Sequence, residues 1–316
     1  MLDWTDRFYR FFARQISRRV YLYTEMVTTG ALIHGDAGRF LRFDACEHPL
    51  ALQLGGSEPG DLARCASLAA QWGYDEVNLN VGCPSERVQS GAFGACLMAE
   101  PELVADCLKA MQDAAGIEVT VKHRIGIDTI DAYEYLEDFV GRVHHRSACK
   151  VFIVHARNAI LKGLSPKENR EIPPLKYDYV HRLKSAFPDL EIHINGGFTT
   201  WAQVEPQWGH VDGVMIGREA YHNPWMLAEA DARAWGDDHA LPSRRQVAEA
   251  MAAFAVDQVA EGVPLKTICR HILGLYQGMP GARQWRRMLS DHVRLKDNNP
   301  ALILEASDAV ERRAQG

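Results

Sequence analysis

The chain predicts an α/β fold, a (β/α)8 TIM barrel followed by a small C-terminal α-helical bundle, and three observations predict it. Short β-rich runs alternate with longer helical patterns from Tyr21 onward, polar residues recur at the carboxyl ends of those runs, and beyond a polar break only helical sequence follows. The strands are expected at residues 21–27, 49–54, 76–81, 118–123, 150–155, 191–195 and 213–216. Between them, apolar-periodic segments at 61–72, 101–114 and 132–143 have proline or aspartate near their starts and glycine near several ends, which marks helices. An open Rossmann-like sheet is the competing arrangement. No G-x-G-x-x-G closes a first strand, and seven consecutive units exceed one half-sheet of that fold.

A length of 316 residues with 47% hydrophobic content suits one barrel-sized domain and a smaller one. The stretch Trp235-Gly236-Asp237-Asp238-His239-Ala240-Leu241-Pro242-Ser243 is polar and punctuated by glycine and proline, so it reads as a boundary between a barrel over 1–236 and a helical domain over 243–316. Helices are expected there at 244–261, 264–278, 282–289 and 300–313. No apolar run approaches membrane-spanning length and the amino terminus lacks a signal-peptide layout, so a cytoplasmic monomer with no membrane partner is expected. Seven scattered cysteines without a C-x-x-C pair argue against a disulfide framework and against a zinc site, and no metal is expected. A net charge of −6 gives no global sign of nucleic-acid binding but leaves room for a local basic face.

In a barrel, the carboxyl ends of the strands converge on one mouth. They carry Thr24 and Glu25, Gln53, Asn80 with Cys83, Lys122 with Arg124, His155 with Arg157, Asn195-Gly196-Gly197 and Gly217-Arg218. Singly, each has a plain explanation: a free cysteine is usually a small core residue, Gln53 can bond a neighbouring backbone, Lys122 can be a rim charge and His155 a satisfied buried histidine. Together they suit one ligand. The glycines at 196, 197 and 217 let backbone N–H groups approach an anion that Arg218 can grip, at the place where barrels bind phosphate. Lys122 and His155 would stabilise negative charge on a reduced flavin ring, and the Gln53 amide would pair with its uracil-like edge. Flavin mononucleotide (FMN) would occupy both sets.

These residues resemble a known family, the tRNA-dihydrouridine synthases. The resemblance covers nearly the whole chain. It rests on Asp3-Trp4-Thr5-Asp6-Arg7, Gln53-Leu54-Gly55-Gly56, Asn78-Leu79-Asn80-Val81-Gly82-Cys83-Pro84-Ser85, Val121-Lys122-His123-Arg124, Val154-His155-Ala156-Arg157, Asn195-Gly196-Gly197 and Met215-Ile216-Gly217-Arg218. Leu164-Ser165-Pro166-Lys167-Glu168-Asn169-Arg170, with His271 to Tyr276 and Pro280 to Arg283, is similar to the branch acting on D-loop uridines 20 and 20a. The resemblance implies FMN, reduced by NADPH, passing a hydride to C6 of a tRNA uracil while Cys83 protonates C5. An ordinary thiol, with a pKa of about 8.5, is mostly protonated at neutral pH and can serve as an acid without activation. Asn80 and Arg157 are then the candidates for orienting the uracil.

The target base must leave its stack to reach the barrel mouth, which calls for a grip on RNA elsewhere. Arg283, Arg286, Arg287, Arg294 and Lys296, with Trp285 among them for stacking or core packing, supply one candidate surface; Lys162, Lys167 and Arg170 in the long loop 158–177 supply another. Residues 84–100, with Gly91 and Gly94, are a candidate lid, within which Cys96 reads as structural. The family begins with a strand ending in an Ala-Pro-Met turn, and Met1 stands where that turn should finish, so the first barrel strand is expected to be absent from the chain as written, through a start set too late. Two rivals accompany the leading reading: a small-molecule FMN reductase or dehydrogenase on the same barrel, and a non-catalytic tRNA-binding module that has lost its flavin.

Overall fold

The structure is a computed structural model that describes residues 1–85, 88 and 91–314. Seven strands form one sheet in sequence order: β1 (Leu22–Thr28), β2 (Leu50–Gly55), β3 (Glu76–Val81), β4 (Glu118–Arg124), β5 (Val151–His155), β6 (Glu191–Asn195) and β7 (Gly213–Met215). From β2 to β7 every neighbouring pair is parallel. The helices Pro59–Trp72, Pro101–Ala115, Tyr133–Ser147 and Tyr177–Ala186 return the chain between strands. This is the order and sense of a (β/α)8-type barrel, and seven such strands lie among the described residues. Each falls within about a residue of its expected span, and β2, β3 and β6 are followed directly by glycine, which stops an apolar run.

The chain divides into two compact units. The first comprises Tyr23–Arg42 and Leu50–Gly217, and holds the sheet with its covering helices. Its core is aliphatic, with Leu52, Leu54, Val77, Leu79, Val81 and Val121 fully buried. The helix Pro59–Trp72 shows the local logic: Glu58 accepts the Asp61 N–H at 2.7 Å, proline occupies the first turn, and Gly73 stops the helix at a left-handed φ of 89°.

The second unit comprises Met1–Leu22, Phe43–Pro49 and Arg218–Gly316. Its helix Arg7–Ile16 is capped by the Asp6 carboxylate, which accepts from the Phe8 and Tyr9 N–H groups. Phe11 of that helix stacks on Phe254 of the helix Arg244–Ala260, with ring centroids 3.9 Å apart. Ala282–Leu289 and Ala301–Ala314 also form helices, matching their expected spans. The expected helix at 264–278 is a correction: only Leu265–Cys269 is α-helical, and turns follow. A Cβ on Gly274 would lie 2.6 Å from Cδ of Pro224, so tertiary packing holds the backbone where a continuous helix would not go. Trp285 is fully buried and donates to the Ile272 carbonyl at 2.9 Å, which makes it a core residue rather than a stacking platform. Among the described residues no helix is long and apolar enough to cross a membrane.

Candidate active site

Cys83 follows β3 on a turn held by its main chain. The Asn80 side-chain oxygen accepts from both the Gly82 and the Cys83 N–H at 3.0 Å, an Asx-type turn that stops the strand. Arg124 Nε donates to the Gly82 carbonyl at 3.1 Å, and the Ala95 N–H donates to the Cys83 carbonyl at 2.9 Å. Gly94 permits that last approach: its φ is +76°, and a Cβ there would lie 2.6 Å from the Cys83 oxygen. The thiol itself is half-buried, 3.5 Å from Ser85 Oγ. Of the candidate lid, residues 86, 87, 89 and 90 lie outside the described residues; beyond them Cys96 donates its S–H to the Phe93 carbonyl at 3.1 Å.

Beside this turn the strand ends gather positive charge. Lys122 Nζ donates to Asn195 Oδ1 at 3.2 Å, and Asn195 Nδ2 donates to the Met215 carbonyl at 2.7 Å. Burial, helped by the Arg124 guanidinium, pushes the Lys122 ammonium down to about 8. Arg124 is only 3% exposed, and burial lowers it to about 10, with Arg170 and Arg157 acting in the same direction. Burial, with Arg124 and Lys122 next, holds His155 well below the usual histidine range, so its imidazole is neutral at pH 7. Cys83 lies close enough to act on both Lys122 and Arg124. Lys122 and Arg124 thus bring two cations to the end of β4, beside the neutral imidazole of His155. That donor set suits an anionic, ring-shaped ligand such as FMN.

Gly196 and Gly197 adopt φ of +129° and +75°. A Cβ on Gly196 would meet His155 Cδ2 at 3.0 Å and Leu175 Cδ2 at 2.9 Å, and one on Gly197 would meet Leu175 Cδ1 at 2.7 Å. The glycine pair thus brings the His155 imidazole and the residues just before the helix Tyr177–Ala186 close to the β6 end. Gly217 closes the first unit, and Arg218 opens the helix Arg218–His222 of the second. Gln53, at the end of β2, is buried; its Nε2 donates to Asn78 Oδ1 and its Oε1 accepts from Asn80 Nδ2, both at 2.9 Å.

The long loop over the mouth is ordered by buried polar groups. Asn169 is fully buried; its amide accepts from the Ile160 N–H at 2.7 Å and donates to the Ile160 carbonyl at 2.9 Å. Arg124 Nη1 donates to the carbonyls of Asn158 and Asn169, at 3.0 and 2.8 Å. Arg157 donates to the carbonyls of Glu171 and Pro173 in the same loop. Lys162 and Lys167 are exposed there and Arg170 is half-buried. Arg283, Arg286 and Arg287 are exposed on the helix Ala282–Leu289, where Arg286 donates to Gln277 and Arg287 to Gln284.

Gln53, Asn80 and Cys83 are therefore joined by hydrogen bonds, Lys122 joins Asn195, and His155 packs on Gly196. The roles of Arg124 and Asn169 are not apparent from the sequence. Arg124 stands two residues after Lys122 at the same strand end, which is its only signal, and Asn169 looks like one more polar loop residue. Among the described residues no cluster of three or more His, Cys, Asp or Glu could hold a metal ion.

Comparison with known proteins agrees with this geometry. The dihydrouridine synthase (Dus) family profile matches residues 1–314. The tRNA-dihydrouridine(20/20a) synthase of Pseudomonas putida is 56% identical over 313 residues, covering 99% of this chain and 93% of that protein. The proteins of the same name from Pseudomonas aeruginosa and Salmonella typhi are 59% and 54% identical, over 93% and 97% of this chain and 88% and 92% of theirs. Among solved structures, a 2-naphthoyl-CoA reductase complex superposes with a TM-score of 0.53 at 11% identity, over 71% of this chain and 46% of that one, a likeness of fold alone.

Proposed function

Because the chain belongs to the dihydrouridine synthase family, we propose that it is a tRNA-dihydrouridine(20/20a) synthase, reducing the C5–C6 bond of D-loop uridines with NADPH through FMN. The observation that carries this reading is the Cys83 turn, held by Asn80 and Arg124 and facing the cationic end of β4. Bound FMN supplies the hydride for C6 of the uracil. In this reading Lys122 and neutral His155 would hold the flavin's electron-rich edge, Gln53 would meet its pyrimidine edge, and Asn195, Gly196, Gly197 and Gly217 would hold its phosphate side.

Hydride addition at C6 makes C5 basic, because the C5–C6 bond is conjugated to the C4 carbonyl. The Cys83 S–H then donates its proton to C5, as a general acid. A free thiol is suited to this without a neighbouring base. Asn80 fixes the main chain under Cys83, and Arg157 with the loop carrying Lys162, Lys167 and Arg170 faces the extruded nucleotide. Residues 1–236 form the flavin-binding catalytic region in this reading, and 243–316 the tRNA-binding region, with Arg283, Arg286 and Arg287 on its exposed face contacting phosphates.

The test is direct. Purified protein supplied with FMN should oxidise NADPH faster when unmodified tRNA is added than when fully modified tRNA is added. Indifference to tRNA, with turnover of a small quinone or enone instead, would replace this reading by a small-molecule reductase.

A further inference from the structure

β3 carries Glu76, Asn78 and Asn80 on one face, since alternate residues of a strand share a face. The sheet register sets Gln53 beside Asn78 and Asn78 beside Thr120, across β2, β3 and β4. These polar side chains meet inside the barrel and form one continuous chain of hydrogen bonds. The Cys83 N–H donates to Asn80 Oδ1 at 3.0 Å; Asn80 Nδ2 donates to Gln53 Oε1 at 2.9 Å; Gln53 Nε2 donates to Asn78 Oδ1 at 2.9 Å. Asn78 Nδ2 donates to Thr120 Oγ1 at 2.7 Å, and Thr120 donates to Glu76 Oε1 at 2.5 Å, where Tyr23 also donates at 2.9 Å. Glu76, Asn78 and Thr120 are almost wholly buried.

Every link runs in the same direction, and both ends require it. At the top stand two backbone N–H groups, those of Gly82 and Cys83, which can only donate. At the bottom stands a carboxyl oxygen that accepts from two hydroxyls. Between them three amides and one hydroxyl have no freedom to turn over without breaking a buried bond. The orientation of the Gln53 and Asn80 amides is therefore fixed by these bonds.

We infer that Glu76 is a positioning residue: from the barrel interior it sets the donor and acceptor faces that Gln53 and Asn80 present at the mouth and holds the Cys83 turn in register. The inference rests on the proposed function for what those faces meet. Glu76 touches no reacting atom; it acts through Thr120 and Asn78. An amide at position 76 would set a further donor against the Thr120 and Tyr23 hydroxyls, which both donate to the carboxyl, and so would loosen the lower anchor of the chain.

The experiment compares Glu76→Gln, Thr120→Val and Thr120→Ser in the full chain with FMN. Two quantities are read: the single-turnover rate of uridine reduction beside KM for tRNA, and the solvent exchange of the Asn78 and Gln53 side-chain amide protons by isotope-edited NMR. Glu76→Gln and Thr120→Val should slow uridine reduction about tenfold or more, leave KM for tRNA nearly unchanged and speed amide exchange. Thr120→Ser, which keeps the hydroxyl, should restore both. The inference is overturned if Thr120→Val keeps the wild-type rate and amide protection, or if Thr120→Ser loses as much as Thr120→Val, because side-chain volume would then be the cause. If Glu76→Gln does not fold, the two Thr120 variants decide. A wild-type protein inactive on tRNA would instead remove the proposed function, while amide exchange would still report on the chain of bonds.

Discussion

Arg124 Nε lies 3.1 Å from the carbonyl oxygen of Gly82, the residue just before Cys83. The same guanidinium donates to the Asn158 and Asn169 carbonyls, so one buried cation ties the Cys83 turn to the loop 158–177. Lysine cannot reproduce this fork, because its single ammonium cannot reach carbonyls on two sides in plane. Arg124→Lys should lower uridine reduction about tenfold or more, and Arg124→Met should destabilise the fold by roughly 2–4 kcal/mol through unpaired buried carbonyls. Single-turnover assays and urea unfolding check the two effects.

Lys122 gives a pH dependence whose sign is fixed. Its folded value, about 8, lies below its ordinary value of 10.5. Between those two values the unfolded chain binds more protons than the folded one, so this group makes stability rise with pH across that window; below about pH 8 its full penalty is present. Lys122→Met should therefore raise the melting temperature of the flavin-free protein at pH 7 and flatten that rise, while weakening FMN binding. Wild-type FMN affinity should fall as pH climbs past about 8 if, as proposed, the Lys122 ammonium meets the flavin, because that charge is then lost. Thermal melts and flavin titrations over pH 6–10, a range spanning about two units on either side of that value, provide the check.

Gly94 is the position where a single methyl should reach the Cys83 turn. A Cβ there would lie 2.4 Å from Val88 Cγ1 and 2.6 Å from the Cys83 oxygen, on a backbone with φ +76°. Gly94→Ala should cost about 1–3 kcal/mol in strain and displace the Cys83 carbonyl. The expected outcome is slower uridine reduction with tRNA affinity retained, read as a fall in kcat at constant KM.

The strand ends were legible because a barrel turns sequence order into spatial order: Gln53, Asn80, Lys122, His155 and Asn195 each end an apolar run. What the sequence could not convey is the direction in which polar residues face. Alternation of Glu76, Asn78 and Asn80 with Val77, Leu79 and Val81 reads as one wet and one dry face, whereas both faces are buried and the polar one lies inside the barrel. Trp285 was ambiguous for a similar reason: flanked by arginines, it gives no sign that its ring packs against Tyr276, at 4.9 Å between centroids. Gly274 was overlooked because one glycine does not exclude a helix; the nearby Pro224 ring does.

In the proposed reaction Cys83 delivers the proton that completes uridine reduction in tRNA. The most direct measurement is mass-spectrometric mapping of dihydrouridine in unmodified tRNA after incubation with FMN, NADPH and either the wild-type protein or Cys83→Ala. A mass gain of two hydrogens is expected at D-loop uridines 20 and 20a with the wild-type protein, and about a hundredfold less or none with Cys83→Ala. Equal product from both proteins would contradict it.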